Sequence, residues 1–397
     1  MTAIAAAFSL AAAALGADTN AASRQELTLT FIHINDVHGQ MTSFPLNGKE
    51  GGGYARLGTL VKQIRAEGKA ERCFLIHAGD EFSVKRDGPQ TLGTALSQET
   101  HGAADIAVMN ALRLDCWTPG NGEFYGGLPT LQARLRQAEF SVLTANVTQR
   151  ENGQPLGKAF VIERAGPVAV AFFGLNWIRP ETLKPMPLTL SDPFVTAKKI
   201  VPELRQQADV VVAVTHIGLA QDGRLAKAVE GLDLILGGHS HSVLPKGIWA
   251  DAPSGRKTLI CQAGEYLRRA GVVDMKLVRE GGRWQITEQT ARLISLDEKV
   301  KPDETITQLI DTLKRGTHSP SGPVAPVPTT TGKTNNAAAL HPATGSGFPV
   351  AFRFALAHRP GWGRPVPIGS LQREDEPSPP RQEAQSVTAW SKDVTAW

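Results

Sequence analysis

From about residue 27 to residue 293, short apolar runs alternate with amphipathic stretches. The apolar runs, bounded by polar or glycine-rich turns, predict strands at 27–34, 73–77, 140–145, 168–174, 210–215, 232–236, 258–262 and 271–278. Helical periodicity predicts helices at 54–66, 103–112, 128–138, 193–207 and 224–229; in the first, Leu57, Leu60, Val61 and Ile64 share one face. Strands separated by helical segments predict an α/β fold. The stretch 258–293 predicts antiparallel strands with a turn at Gly281-Gly282. A further helix is predicted over 303–315, with Ile306, Leu309, Ile310 and Leu313 on one side.

The two ends of the chain break this pattern. Residues 4–15 form an Ala-rich apolar run, followed by small residues at 14–17 and 21–23. Its length suits the core of an export leader, although no Lys or Arg precedes it, and it is too short to cross a bilayer. The expected division is a leader over 1–24, a catalytic domain over 25–300, a connecting helix over 301–317, and a Pro/Thr/Gly-rich tail over 318–397 without periodicity to close a core. A leader predicts a periplasmic or secreted protein with no transmembrane segment.

Composition narrows the function classes. The 397 residues are 41% hydrophobic and 20% charged, as in a soluble globular protein. The formal charge of +4, from 42 basic and 38 acidic residues, gives no support to a nucleic-acid polymer as partner. Three cysteines supply neither a disulfide framework nor zinc-ligand spacing. Cys73, Cys116 and Cys261 lie in or beside strands and read as buried thiols, with oxidation of one pair left open for an exported chain.

Five polar clusters each follow a predicted strand or apolar segment: Asp36-Val37-His38, Gly79-Asp80, Gly120-Asn121-Gly122-Glu123-Phe124, His216, and Gly238-His239-Ser240-His241. In an open α/β sheet, loops at the carboxyl ends of strands converge on the ligand crevice. Asp, Asn and His gathered there have the chemistry of a site for two divalent ions, which clamp a phosphoryl oxygen and activate water. His239 and His241 can both point inward only across a bend, which Gly237 and Gly238 permit.

The runs FIHINDVHG (31–39), HAGD (77–80), MNALRLDCWTPGNGEF (109–124), THIG (215–218) and LDLILGGHSH (232–241) together resemble the calcineurin-like metallophosphoesterases. More narrowly, they resemble the catalytic domain of 5′-nucleotidases and 2′,3′-cyclic phosphodiesterases, over about residues 27–316. The resemblance implies a four-layer α/β/β/α sandwich of two mixed sheets. It implies two divalent metal ions (Zn, Mn, Fe or Co): Asp36, His38 and His241 on the first, Asn121, His216 and His239 on the second, and Asp80 between them. It further implies hydrolysis of a small phosphorylated substrate, a nucleotide foremost, by a hydroxide shared between the ions.

Two departures stand against that pattern. The family's Gly-Asn-His-Glu-Phe-Asp is here Gly120-Asn121-Gly122-Glu123-Phe124-Tyr125, so the catalytic His and its orienting Asp are Gly122 and Tyr125. The family's nucleotide-binding C-terminal domain has no counterpart in the tail. Losing a positioned acid costs about 10²–10⁴-fold in rate. The alternatives are therefore a metal-binding homologue with little or no turnover, or a thiosulfohydrolase-like enzyme of the same subfamily. His101 is the spare imidazole before the second predicted helix, and Tyr125 is a second candidate donor to a phosphoryl oxygen. His33 and His77 read as core or metal-supporting histidines. Trp177 and Arg179 follow a strand, and Asn146-Val147-Thr148 matches a glycosylation acceptor.

Overall fold

The computed structural model describes residues 25–46, 48–82 and 90–317; the expected leader and tail lie outside the described residues. Two six-stranded sheets organise the described chain. The first runs, edge to edge, Arg283–Ser295, Arg269–Glu280, Glu26–Ile34, Arg72–His77, Cys116–Trp117 and Ser141–Val142. The second runs Ile248–Asp251, Lys257–Cys261, Leu234–Gly237, Val210–His216, Val168–Asn176 and Phe160–Ala165. Both are mixed. Glu26–Ile34 pairs parallel with Arg72–His77 and antiparallel with Arg269–Glu280. Val210–His216 is parallel to both neighbours, while each edge of the second sheet is antiparallel.

Side-chain alternation explains the layering. Leu29 and Phe31 of the first strand meet Val210, Val212 and Val214 of the second sheet in a core between the sheets. There Phe31 stacks on Phe74 at 5.5 Å, and Phe172 meets Phe74 edge-on at 5.1 Å. The alternate residues Ile32 and Ile34 face helices Tyr54–Ala66, Leu92–Glu99, Ala103–Ala111 and Leu128–Gln137. Val211 and Ala213 face helices Pro193–Arg205 and Leu219–Ala228. Central strands buried on both faces read as continuous apolar runs, which is what the sequence shows. This is the expected four-layer α/β/β/α sandwich. The last described helix, Glu304–Thr317, expected as a connector, buries Ile306, Ile310 and Leu313 in the helix layer of the first sheet.

Several short or edge elements were not predicted, among them Phe160–Ala165, Ile248–Asp251 and the first half of Leu219–Ala228. Edge strands are exposed along one side and carry polar residues that erase alternation. Helix Leu219–Ala228 starts after Gly218 with no side-chain cap to announce it. Asn146 is fully buried, donating to the Asn176 and Ser191 carbonyls at 2.9 and 3.0 Å, so its acceptor motif serves the fold and not a glycan. Cys73, Cys116 and Cys261 are all free thiols, the last two buried. Among the described residues no helix is long and apolar enough to cross a membrane.

Candidate metal centre

The parallel strands ending at Ile34, His77, Trp117, His216 and Gly237 deliver the five polar clusters to one end of the sandwich. Their main chain is unusual there. Asp36, His38, Asp80, His239 and His241 all have positive φ, between 52° and 77°. Such backbone costs of order 1–3 kcal/mol per residue without glycine, and clusters at functional sites. Cross-ties hold it: Asp36 N–H donates to the Gly79 carbonyl at 2.8 Å and His38 N–H to the Asp80 carbonyl at 3.0 Å. Gly79 has φ 91°, and a Cβ there would stand 2.5 Å from His216 Nδ1.

Two groups of donor atoms result, each spanning no more than 4.8 Å: Asp36 with His38 and His241, and Asp36 with Asp80 and His216. His241 Nε2 lies 3.3 Å from Asp36 Oδ1 and 3.2 Å from His38 Nε2. His216 Nε2 lies 3.4 Å from Asp80 Oδ1 and 4.0 Å from Asp36 Oδ1. It is fully buried and has no well-formed hydrogen bond; His216 Nδ1 donates to the Ala78 carbonyl at 2.7 Å, which leaves Nε2 as the atom facing the carboxylates, protonated without a metal and able to exchange that proton for a cation. A buried, unpartnered imidazole nitrogen between two carboxylates fits a divalent cation. Beside this group, His239 Nδ1 and Asn121 Oδ1 come within 2.8 Å of each other.

Electrostatics agree with that fit. Burial opposes charge on His216, yet Asp80 and Asp36 outweigh it and raise its pKa to about 10. Asp80 is held well below the carboxylate range, His216 and His38 overcoming its burial. His241 is likewise raised to about 10 against burial, by Asp36 and Glu265. His38 and His239 are lowered by burial, His239 to about 4. The site attracts positive charge and keeps two imidazoles neutral.

Residues behind the donors set their aim. Asn35 Nδ2 donates to Asp36 Oδ2 at 2.7 Å, and His239 N–H donates to both carboxylate oxygens, at 3.0 Å to Oδ2 and 3.2 Å to Oδ1, which fixes the carboxylate with Oδ1 beside the histidines. Glu265 takes His241 Nδ1 at 2.5 Å. Gln262 accepts from Ser240 and Ser242 and donates to the Gly238 carbonyl, clamping the loop that carries both histidines. Glu123, fully buried, accepts the backbone N–H groups of Asp80, Glu81, Phe82 and Gly120. Sequence reasoning missed Asn35, Gln262 and Glu265. Gln262 and Glu265 follow the parallel strand Lys257–Cys261, so the strand-end rule that found the donors extends to them.

Five of the seven expected donors, Asp36, His38, Asp80, His216 and His241, fall in these two groups, and Asn121 and His239 pair beside them. Asp36 is common to both groups, and Asp80 Oδ1, which faces His216, also accepts Gly122 N–H at 2.7 Å. The Tyr125 hydroxyl oxygen accepts from Asn121 Nδ2 at 3.0 Å and so steadies a donor. His101 is exposed at the turn before helix Ala103–Ala111, in neither group. His77 hydrogen-bonds Glu81 at 2.7 Å beneath the site, and His33 is a buried core residue. Arg179 is exposed, while Trp177 stands beside His239.

A model of the calcineurin-like phosphoesterase family matches residues 29–243. The 2′,3′-cyclic-nucleotide 2′-phosphodiesterase/3′-nucleotidase of Yersinia enterocolitica is 28% identical over 73% of this chain and 49% of its own length. The snake venom 5′-nucleotidase of Crotalus adamanteus is 26% identical over 73% of this chain and 52% of its own. Among solved structures, the 5′-nucleotidase precursor of Thermus thermophilus superposes with a TM-score of 0.63 at 25% identity, covering 73% of this chain and 59% of that one. The chain thus spans about half the length of these curated relatives.

Proposed function

The chain belongs to the calcineurin-like phosphoesterase family, and from that premise we propose that it is an exported hydrolase of small phosphate esters working with two divalent ions. Its substrate class is phosphate monoesters or cyclic phosphodiesters, nucleotides foremost, in keeping with the activities named for its relatives. Export rests on the apolar run at 4–15 alone. The observation that carries the hydrolase reading is the orphaned His216 Nε2 between Asp36 and Asp80, beside the second pairing of His38 with His241.

When bound, the ions supply Lewis-acid polarisation of a phosphoryl oxygen and activation of water. Asp36, His38 and His241 would hold one ion, and His216, His239 and Asn121 the other, with the Asp36 and Asp80 carboxylates at hand for both. The remaining work falls to the protein. Ala78 and Glu265 take the Nδ1 protons of His216 and His241, so that the proton given up to a cation is the one on each inward-facing Nε2. Asn35 and the His239 N–H hold Asp36 in one orientation. Gly122 presents only its N–H, and that is taken by Asp80, so the leaving oxygen collects its proton from solvent. That route makes turnover slower by about 10²–10⁴-fold than with a positioned acid.

Tyr125 specifically favours a second reading, a metal-binding homologue with very little turnover. It occupies the position of the orienting Asp and is engaged on Asn121. Elemental analysis together with hydrolysis of nucleotides, cyclic nucleotides and a generic phosphodiester, with Mn²⁺, Zn²⁺ or Co²⁺ supplied, separates the two. Two ions per chain with EDTA-sensitive phosphate release supports the hydrolase. Two ions without release supports the second reading, and no bound metal refutes both.

A further inference from the structure

An indole stands at the mouth of the site, and nothing in the metal chemistry needs it there. Trp177 follows the strand Val168–Asn176, and its ring centroid lies 5.1 Å from that of His239 with the planes inclined by 51°. Its backbone is tightly fixed. Asn176 pairs in register with His216, and the Trp177 N–H donates to the His216 carbonyl at 3.1 Å. Asn176 is fully buried, its N–H accepted by Asn146 at 2.8 Å and its side chain donating to the Pro119 carbonyl. On the other side Ile178 is 1% exposed. Between two buried neighbours the Trp177 side chain is 39% exposed.

We infer that Trp177 is a stacking platform for a planar group on the alcohol side of the phosphate ester, such as a nucleobase, and that it sets the preference for such esters. This rests on the hydrolase reading and deepens it by naming what the leaving group carries. One part of the indole lies against His239, whose Nδ1 is 2.8 Å from Asn121 Oδ1. A phosphoryl group held at those two residues brings its alcohol beside the rest of the ring. Indole offers a π-face and no pattern of donors and acceptors that would tell bases apart. Its preference is therefore for planar over non-planar alcohols, with little choice among bases. The rigid Asn176–Ile178 backbone means little ordering is needed on binding.

The test compares adenosine 5′-monophosphate with ribose 5-phosphate, which share the same primary ester and differ in the planar base. The readout is the ratio of their kcat/KM values for the metal-loaded full chain. Stacking of one base predicts a preference of about tenfold in the wild type. Trp177→Leu keeps an apolar cover on His239 but removes the π-face, and is expected to abolish most of the preference, as is Trp177→Ala. Trp177→Phe is expected to retain most of it. No preference in the wild type, or equal loss on both substrates in the leucine variant, overturns the inference and makes Trp177 a shield for His239. If the wild type cleaves neither compound, nor the cyclic nucleotides and phosphodiester of the panel above, the hydrolase reading fails. The platform is then judged by calorimetric binding of the same two compounds to the metal-loaded wild type and Trp177→Leu. A tenfold ratio lost in the variant supports it, and equal affinities refute it.

Discussion

Glu123→Gln should damage the site from behind without touching a proposed metal donor. Oε1 of Glu123 accepts Glu81 N–H at 2.7 Å and Phe82 N–H at 2.9 Å, while Oε2 accepts those of Asp80, at 3.1 Å, and Gly120. A carboxylate satisfies all four donors; an amide satisfies two and presents its own N–H to the other two. Each buried donor left unmatched costs about 1–3 kcal/mol, so the expected loss is about 2–6 kcal/mol. That is a large share of the roughly 5–15 kcal/mol that stabilises a typical domain. The orphaned donors are on the loops carrying Asp80 and Asn121, so the damage should reach the metals as well. Asp80 holds φ 53° partly through this clamp, and losing such support typically weakens metal binding about 10–100-fold. Burial and the Asp80 charge push the Glu123 carboxyl up to about 7, so the comparison belongs near pH 8, where the wild-type group is ionised. Urea unfolding of the EDTA-treated proteins, with metal titration by calorimetry, measures both effects. A variant within about 0.5 kcal/mol of wild type, with unchanged metal affinity, would refute the clamp.

Glu265→Gln removes the anion that holds His241 Nδ1 and should lower both the His241 pKa and metal affinity, the latter by about 10–100-fold, as read by NMR titration of the EDTA-treated protein and by calorimetry. Gly122→His with Tyr125→Asp should raise phosphate release at least about 100-fold if only the acid is missing, and no gain would mean a site reshaped for another use. A Cβ at 122 would stand 2.9 Å from Asp80 Oδ1, so Gly122→Ala is the control and should bind metal more weakly than wild type. The metal-free protein should lose stability as pH rises from 6.5 to 10, as a falling Tm in EDTA. Glu81 and Asp222, raised by burial to about 8 and 7, stabilise fully below pH 4 and less through 7–8; His216 and His241, raised to about 10, stabilise fully below 6.5 and less toward 10. His33, His77 and His239, lowered to about 4, act only between pH 4 and 6.5, so a Tm rising above pH 6.5 contradicts this assignment.

How far the sequence was legible depended on which residues report their surroundings. Val210–His216 is buried on both faces, and its unbroken apolar run announced a central strand. Phe160–Ala165 lies at an edge, carries Glu and Arg, and gave no period to read. Cys116–Trp117 is too short for any period, whereas Ser141–Val142 sits inside the apolar run predicted as a strand at 140–145; both extend the first sheet. At the site, Asp36, His38, Asp80, His216, His239 and His241 were visible because each ends a strand and carries metal-binding chemistry. Asn35 and Gln262 carry none in isolation. Their roles exist only through partners such as Gly264, which is 229 positions from Asn35 in the chain, and Ser240.

The two substituted positions acquire a different meaning once the backbone is considered. Asp36, His38, His239 and His241 are aimed by left-handed main chain held through N–H···O ties, not by contacts with residues 122 or 125. Gly122 and Tyr125 can therefore differ from the family pattern without unmaking the donor array. They have not become idle, however. Gly122 N–H holds Asp80 Oδ1, and the Tyr125 hydroxyl steadies Asn121 Nδ2 while Asn121 Oδ1 meets His239. Replacing Tyr125 alone removes that hold on a donor, and replacing Gly122 alone crowds Asp80. Each single change should therefore lower metal affinity, and only the pair together can supply an oriented acid. A double-mutant cycle on kcat/KM should show strongly positive coupling between positions 122 and 125. Additive effects would mean that the two positions act independently and that Tyr125 steadies nothing of consequence.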